Sequence, residues 1–256
     1  MVISIKKVNE MISRRARKIW IAVLVAVFVF AGIQLTLTLL QYKQGADIYK
    51  GATDKYVSEV VTKAAVLVSP IEIDFKALNP LNKDIVGWIW INDLKINYPL
   101  VRGSNNQYYL THTYDGTYNR LGSIFMDFRN SRELDDPNTV IYGHNMWTDE
   151  MFGVLEKYSE LEFYQKHKFI YILQEDMVRK YEVFSAYFTD AYGDSYTIEF
   201  LNTKSFNDYL FKMKNQSLVE TNVTVSKEDK IITLSTCKTR GEKTERFVVQ
   251  AKQIFE

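Results

Sequence analysis

The chain has 256 residues, of which 46% are hydrophobic and 25% charged, with a net charge of +1 and one cysteine. That length suits one sizeable domain plus an appendage, and eleven Gly with four Pro exclude a collagenous or low-complexity chain. The charge is unevenly spread. Residues 1–18 carry six Lys/Arg against the single acid Glu10, which leaves 26 basic and 30 acidic residues in the remainder. A mildly acidic body argues against a nucleic-acid partner, because that role calls for a basic face.

Residues 19–40 (IWIAVLVAVFVFAGIQLTLTLL) hold no charge. At 1.5 Å per residue they reach about 33 Å, enough for a hydrocarbon core of about 30 Å. The basic cluster directly before them predicts a cytoplasmic N-terminus, with residues 41–256 outside the cell membrane. A cleaved signal peptide would have a shorter apolar run ending in a small-x-small site, and 36–40 (TLTLL) offers none. Residues 41–52, polar and with Gly45 and Gly51, read as a linker. Val57, Val60, Val61, Ala64, Ala65 and Val68 then have helical spacing, which predicts an amphipathic helix over 54–68, stopped by Pro70.

Strands are predicted at 86–91 and 95–101 around the turn-like Asn92-Asp93, then at 122–128, 139–142, 169–173 and 178–187, all rich in β-branched and aromatic residues. Short helices are expected at 149–158 and 160–167. A better one runs over 205–216, with Ser205 as its N-cap and Phe206, Tyr209, Leu210 and Met213 as its apolar stripe. The last strands are 230–237 and 246–254. Many short strands without a βαβ rhythm imply a mainly antiparallel β-barrel or sandwich with helical additions, over 75–256.

An unpaired cysteine in an exported domain is either incidental or chemical. Cys237 ends the strand KIITLSTC and is followed by the polar segment KTRGEKTE, so it sits at a strand end beside a loop. Arg246 opens the final strand. If the two strands form a hairpin, the guanidinium falls near the thiol, where a fixed cationic fork can stabilise an oxyanion; the competing role is a surface arginine at a strand end. Thiol chemistry also needs a proton carrier, usually His. His167, between Lys166 and Lys168, reads as solvent-facing, and His112 as a loop residue. His144 follows the strand TVIYG, where Gly143 would let the chain turn sharply and present the ring; a structural histidine is the alternative.

The blocks TLSTC (233–237), VIYGHNM (140–146) and RFVV (246–249) together resemble the active-site signature of sortases, closest to class B. DIVGWIWI, INYPLV, NNQYYL and GSIFMDFRN resemble that class too, and the likeness covers residues 75–256. It implies a closed eight-stranded β-barrel with N-terminal helices and a helix-bearing insertion before the catalytic strand. It also implies a cysteine transpeptidase without metal or organic cofactor. In that scheme Cys237 is the nucleophile, His144 the acid/base and Arg246 the oxyanion group. Asn106 and Leu110 match positions that line the substrate groove, and Ser235, which shares the catalytic face, is the third substrate-binding candidate. The implied partners are secreted surface proteins with an NPxTN- or NPxTG-like sorting motif, a peptidoglycan-precursor amine, and the membrane through the N-terminal helix.

One departure stands out. Class B sequences often carry an acid just after the cysteine, where this chain has Lys238-Thr239. The alternatives to wall anchoring are pilus assembly, another exported cysteine peptidase, and a non-enzymatic scaffold. A peptidase with its cysteine before its histidine has the wrong order, and an L,D-transpeptidase would show an SHGC-type block, which is absent.

Overall fold

The computed structural model describes residues 5–60, 69–236 and 244–254. It divides into two units, residues 1–44 and 45–256. In the first, α1 (Ile5–Tyr56) carries the uncharged stretch, and it is one helix long and apolar enough to cross a membrane. The helix does not stop at 41. Residues 45–56 remain helical and belong to the second unit, so the linker expected over 41–52 is a helix. Its buried positions are Gly45, Tyr49, Ala52 and Tyr56, an i, i+4, i+7, i+11 stripe. Gly45 is needed there because a Cβ would fall 2.7 Å from Asn119 Oδ1 and 2.9 Å from Leu121 Cβ.

The helix predicted over 54–68 is also corrected. α1 ends at Tyr56, and β1 (Val57–Glu59) pairs antiparallel with β2 (Ile71–Ile73), which leads into the short α2 (Phe75–Leu78); 61–68 lie outside the described residues. The apolar spacing that suggested a helix begins with Val57, a β-branched residue that suits an extended pair as well.

Eight strands close a barrel: β3 (Ile85–Trp90), β4 (Asn97–Val101), β5 (Ile124–Met126), β6 (Asn138–Gly143), β7 (Phe169–Gln174), β8 (Met177–Asp190), β9 (Ile231–Thr236) and β10 (Glu245–Ile254). The spatial order is β10-β8-β7-β3-β4-β5-β6-β9. Trp88, Ile89, Leu100, Ile124, Val140, Leu234 and Val249 are fully buried, and each such side chain contributes about 1.5–3 kcal/mol by leaving water. The Asn92-Asp93 turn is present: Asp93 has φ 58°, and Ile91 N–H donates to the Ile96 carbonyl. Most pairs are antiparallel, but β4–β5 and β6–β9 are parallel. The second of these sets the site.

Between β8 and β9 lies the expected helix-bearing insertion. Its α4 runs from Thr203 to Asn215, and the N-cap is Asn202, not Ser205. Asn202 Oδ1 accepts from Ser205 N–H, and Ser205 Oγ is the reciprocal member of the capping box. Phe206, Tyr209, Leu210 and Met213 pack with Phe184, Tyr187, Ile231 and Val248. The insertion therefore covers the outer face of β9, which is why all six residues of that strand are buried although Thr233 and Ser235 are polar. In place of the helix predicted over 149–158 there is only a 3₁₀ turn at Leu155–Ser159, followed by α3 (Leu161–Lys166).

Candidate active site

Three strands meet at one rim of the barrel, where His144 and Arg246 lie. β6 and β9 run parallel, with Gly143 opposite Thr236. β10 runs antiparallel to β9, with Val248 opposite Ser235. His144 is the residue that follows β6, and Arg246 is the second residue of β10, so both belong to the rim at which β9 ends. Cys237 lies outside the described residues, as does Arg240.

His144 is held on two sides. Its Nε2 lies 2.7 Å from the carbonyl oxygen of Leu110. A carbonyl only accepts, so Nε2 carries the proton of the neutral ring and Nδ1 holds the free lone pair. Gly122, at φ +62°, lies against the ring: a Cβ there would stand 3.0 Å from His144 Cδ2, 2.8 Å from the Leu110 oxygen and 2.7 Å from the Tyr109 oxygen. Gly143 has a different job from the sharp turn expected of it. It carries no positive φ, but a Cβ would strike Ile124 Cδ1 at 2.5 Å and Phe152 at 2.7 Å. Close packing is what demands glycine.

Arg246 is half-buried and sits across from Thr189 of β8, so the sheet fixes its backbone; its Nη1 donates to the Glu245 carbonyl at 2.9 Å. Ser235 is fully buried, with its hydroxyl 2.9 Å from Tyr196 Oη. Asn106 donates to Asp127 at 2.9 Å and accepts from Phe128 N–H. With Asp127, Arg129, Tyr142, Tyr196 and the segment 191–199, it lines a cavity of about 640 Å³. Leu110 meets His144 through its main-chain carbonyl. His167 is half-buried, not solvent-facing, and its Nδ1 is enclosed.

The profile of the sortase domain family matches residues 89–254. The chain is 40% identical over 238 residues to sortase B of Listeria monocytogenes serovar 1/2a, covering 91% of this chain and 94% of that protein. It is 36% identical over 232 residues to sortase B of Staphylococcus aureus, covering 90% and 93%. The chain belongs to the sortase family, in class B. The S. aureus sortase B–substrate complex superposes with a TM-score of 0.73 at 35% identity, covering 84% of this chain and 98% of that one. A class B sortase is a transpeptidase, and this chain has the corresponding barrel.

The polar cluster under the sortase's cavity escaped the sequence reading. Asp127 is fully buried and accepts from Arg129 Nε (2.9 Å) and Nη2 (2.8 Å), from Asn106 Nδ2 (2.9 Å) and from Tyr142 Oη (3.0 Å). Burial alone would raise its pKa, but the Arg129 guanidinium and main-chain N–H, with Asn106, outweigh burial and hold it below the ordinary carboxylate value. Asp127 and Arg129 fall in the turn just after β5, so strand alternation gives no advance signal of the pair.

Burial lowers the His144 pKa from its ordinary 6.5, and the Leu110 hydrogen bond only partly offsets this. The unfolded chain then binds more protons than the folded one below that value, so this group's stabilising contribution is present above 6.5 and is lost as the pH falls toward the folded pKa. Unfolding free energy, measured by denaturant titration at several pH values, is expected to decline on acidification by up to about 1.4 kcal/mol per pH unit from this residue. In His144→Gln that component should vanish. An identical pH slope in the two proteins would contradict it.

Proposed function

We propose that this sortase is a single-pass membrane protein that cleaves a sorting motif of the NPxTN or NPxTG kind after its Thr and transfers the acyl group to a peptidoglycan-precursor amine. The observation that carries the catalytic reading is the β6–β9 register. Gly143 and Thr236 share a rung of two parallel strands, and the residues joined directly to them are His144 and Cys237. Arg246 precedes by two positions the residue that pairs with Ser235, itself two before Cys237. Covalent connection alone thus supports assembly of nucleophile, proton carrier and cation at one rim.

In the first step the Cys237 thiol gives its proton to His144 Nδ1 as its sulfur adds to the Thr carbonyl carbon, and Arg246 balances the charge on the carbonyl oxygen. Collapse expels the downstream amine, which takes its proton from His144, and leaves a thioester. The incoming amine then attacks that thioester, giving its proton to His144 Nδ1, and the thiolate departs as the new amide forms. Asn106 and Ser235 border or adjoin the 640 Å³ cavity, which supports its use for the motif. The solved complex of S. aureus sortase B with a substrate supports the same reading. For orientation, the six Lys/Arg ahead of the uncharged span support a cytoplasmic N-terminus and an external barrel.

Full-length protein in detergent, given a panel of sorting-motif peptides with and without candidate amines, should release the fragment beyond Thr and form a new amide only when amine is present. Products are read by mass. If every peptide stays intact, or only hydrolysis occurs with all amines, the proposed substrate chemistry is wrong.

A further inference from the structure

Tyr49 lies on the part of α1 that belongs to the catalytic unit and is 4% exposed. Its hydroxyl donates to the Gly122 carbonyl at 2.5 Å and lies 3.0 Å from Ser123 Oγ. This pair is a junction. Ser123 N–H donates to the Tyr109 carbonyl (2.9 Å), and Ser123 Oγ donates to the His112 carbonyl (2.8 Å). Gly122 passes so close to the Tyr109 and Leu110 oxygens and the His144 ring that a Cβ there would meet all three. The Leu110 oxygen is the acceptor that fixes the His144 tautomer. One phenol therefore clamps the segment that seats both the imidazole and its hydrogen-bond partner.

A second route leads from the same side chain to the other side of His144. The Tyr49 ring packs edge-on against Tyr98, with centroids 5.2 Å apart, and Tyr98 Oη accepts from Met151 N–H at 3.1 Å. The next residue, Phe152, donates its N–H to the His144 carbonyl at 2.9 Å. The His144 ring is thus two contacts from Tyr49, and its main chain three, by way of the Met151–Phe152 peptide. Glycine at 122 strengthens the case, because its positive φ and lack of a Cβ let the clamped segment approach the imidazole so closely.

We propose that Tyr49 is a positioning residue for His144, a role that its hydroxyl carries beyond the packing it shares with the rest of the helix. The inference rests on the reading of His144 as acid/base. A clamp of this kind acts on the geometry of proton transfer, not on binding of the peptide, so its loss appears in kcat. Misplacement of a reacting group by about 1 Å can cost as much as 10²-fold.

The test compares full-length Tyr49→Phe, Ala52→Gly and His144→Ala with the parent chain in one peptide assay, alongside Tm and the NMR titration of His144. Ala52 is buried on the same helix face, and Gly there weakens the helix without touching the phenol's hydrogen bond. Tyr49→Phe is expected to lower kcat about tenfold or more with KM within twofold, and to move the His144 resonance and its midpoint. Ala52→Gly should keep its kcat despite a comparable loss of Tm. The positioning role is overturned if Tyr49→Phe retains parental kcat while His144→Ala is inactive, or if Tyr49→Phe and Ala52→Gly lose kcat in step with Tm. Full turnover by His144→Ala would remove the acid/base reading and this inference with it.

Discussion

Cys237→Ala should abolish both cleavage and transfer, by about 10⁴-fold or more, while the protein keeps its fold and its Tm. Removing a nucleophile removes the covalent intermediate itself, and oxyanion stabilisation without attack leaves only residual rate enhancement. The chain offers no second thiol to take over. Folding should survive because the rungs Ile231–Thr236 form without the cysteine, paired to β6 on one side and β10 on the other. His144→Ala should be nearly as severe. His112→Ala should be mild, since that ring stacks on Tyr108 (3.9 Å between centroids) and its Nδ1 meets the Tyr108 carbonyl, both local contacts. His167→Ala should also be mild, because that residue packs by Phe163 on the end of α3. The assay is release of the fragment beyond Thr, with circular dichroism on each variant. Substantial turnover by Cys237→Ala would sink the mechanism. Loss in His167→Ala with none in His144→Ala would move the base.

Most strands were readable because they are rich in β-branched and aromatic residues, and the two flanking Asn92-Asp93 also declare their turn. Pairing across distance was not. No local signal makes β6 and β9 parallel neighbours, since they stand about ninety residues apart and the register depends on how the barrel closes. The stripe Gly45, Tyr49, Ala52, Tyr56 was passed over because a glycine and an alanine among polar residues look like a linker; small size there permits close approach. In the same way, Leu110 is named by resemblance alone, and that its carbonyl orients His144 could not be read, because backbone atoms leave no mark on residue type. Asn106 is named from the resemblance, but the buried carboxylate it meets is not, because burial of Asp127 is a property of the folded cavity.

Arg246→Ala is the second large effect, a fall of about 10²–10³ in kcat, the usual consequence of removing one preorganised oxyanion donor. Two arginines compete for the role, Arg240 within the polar segment after Cys237 and Arg246 at the start of β10. Preorganisation favours the second. Its main chain pairs with Thr189, and its neighbour Phe247 is fully buried and donates its N–H to Thr236 Oγ1 at 2.9 Å. That bond ties the start of β10 to the residue joined to Cys237, so a charge carried at 246 cannot drift from the end of β9. Arg246→Lys should recover only part of the loss, because an ammonium keeps the charge but not the planar fork. Thiol labelling of Cys237 should change little in either variant, since the group acts on the oxyanion and not on the sulfur. Arg240→Ala should stay within a few-fold of the parent chain. All three are compared on one peptide at steady state. If Arg240→Ala is the crippled variant and Arg246→Ala is not, the oxyanion role passes to the loop, and the sheet-held cation is structural.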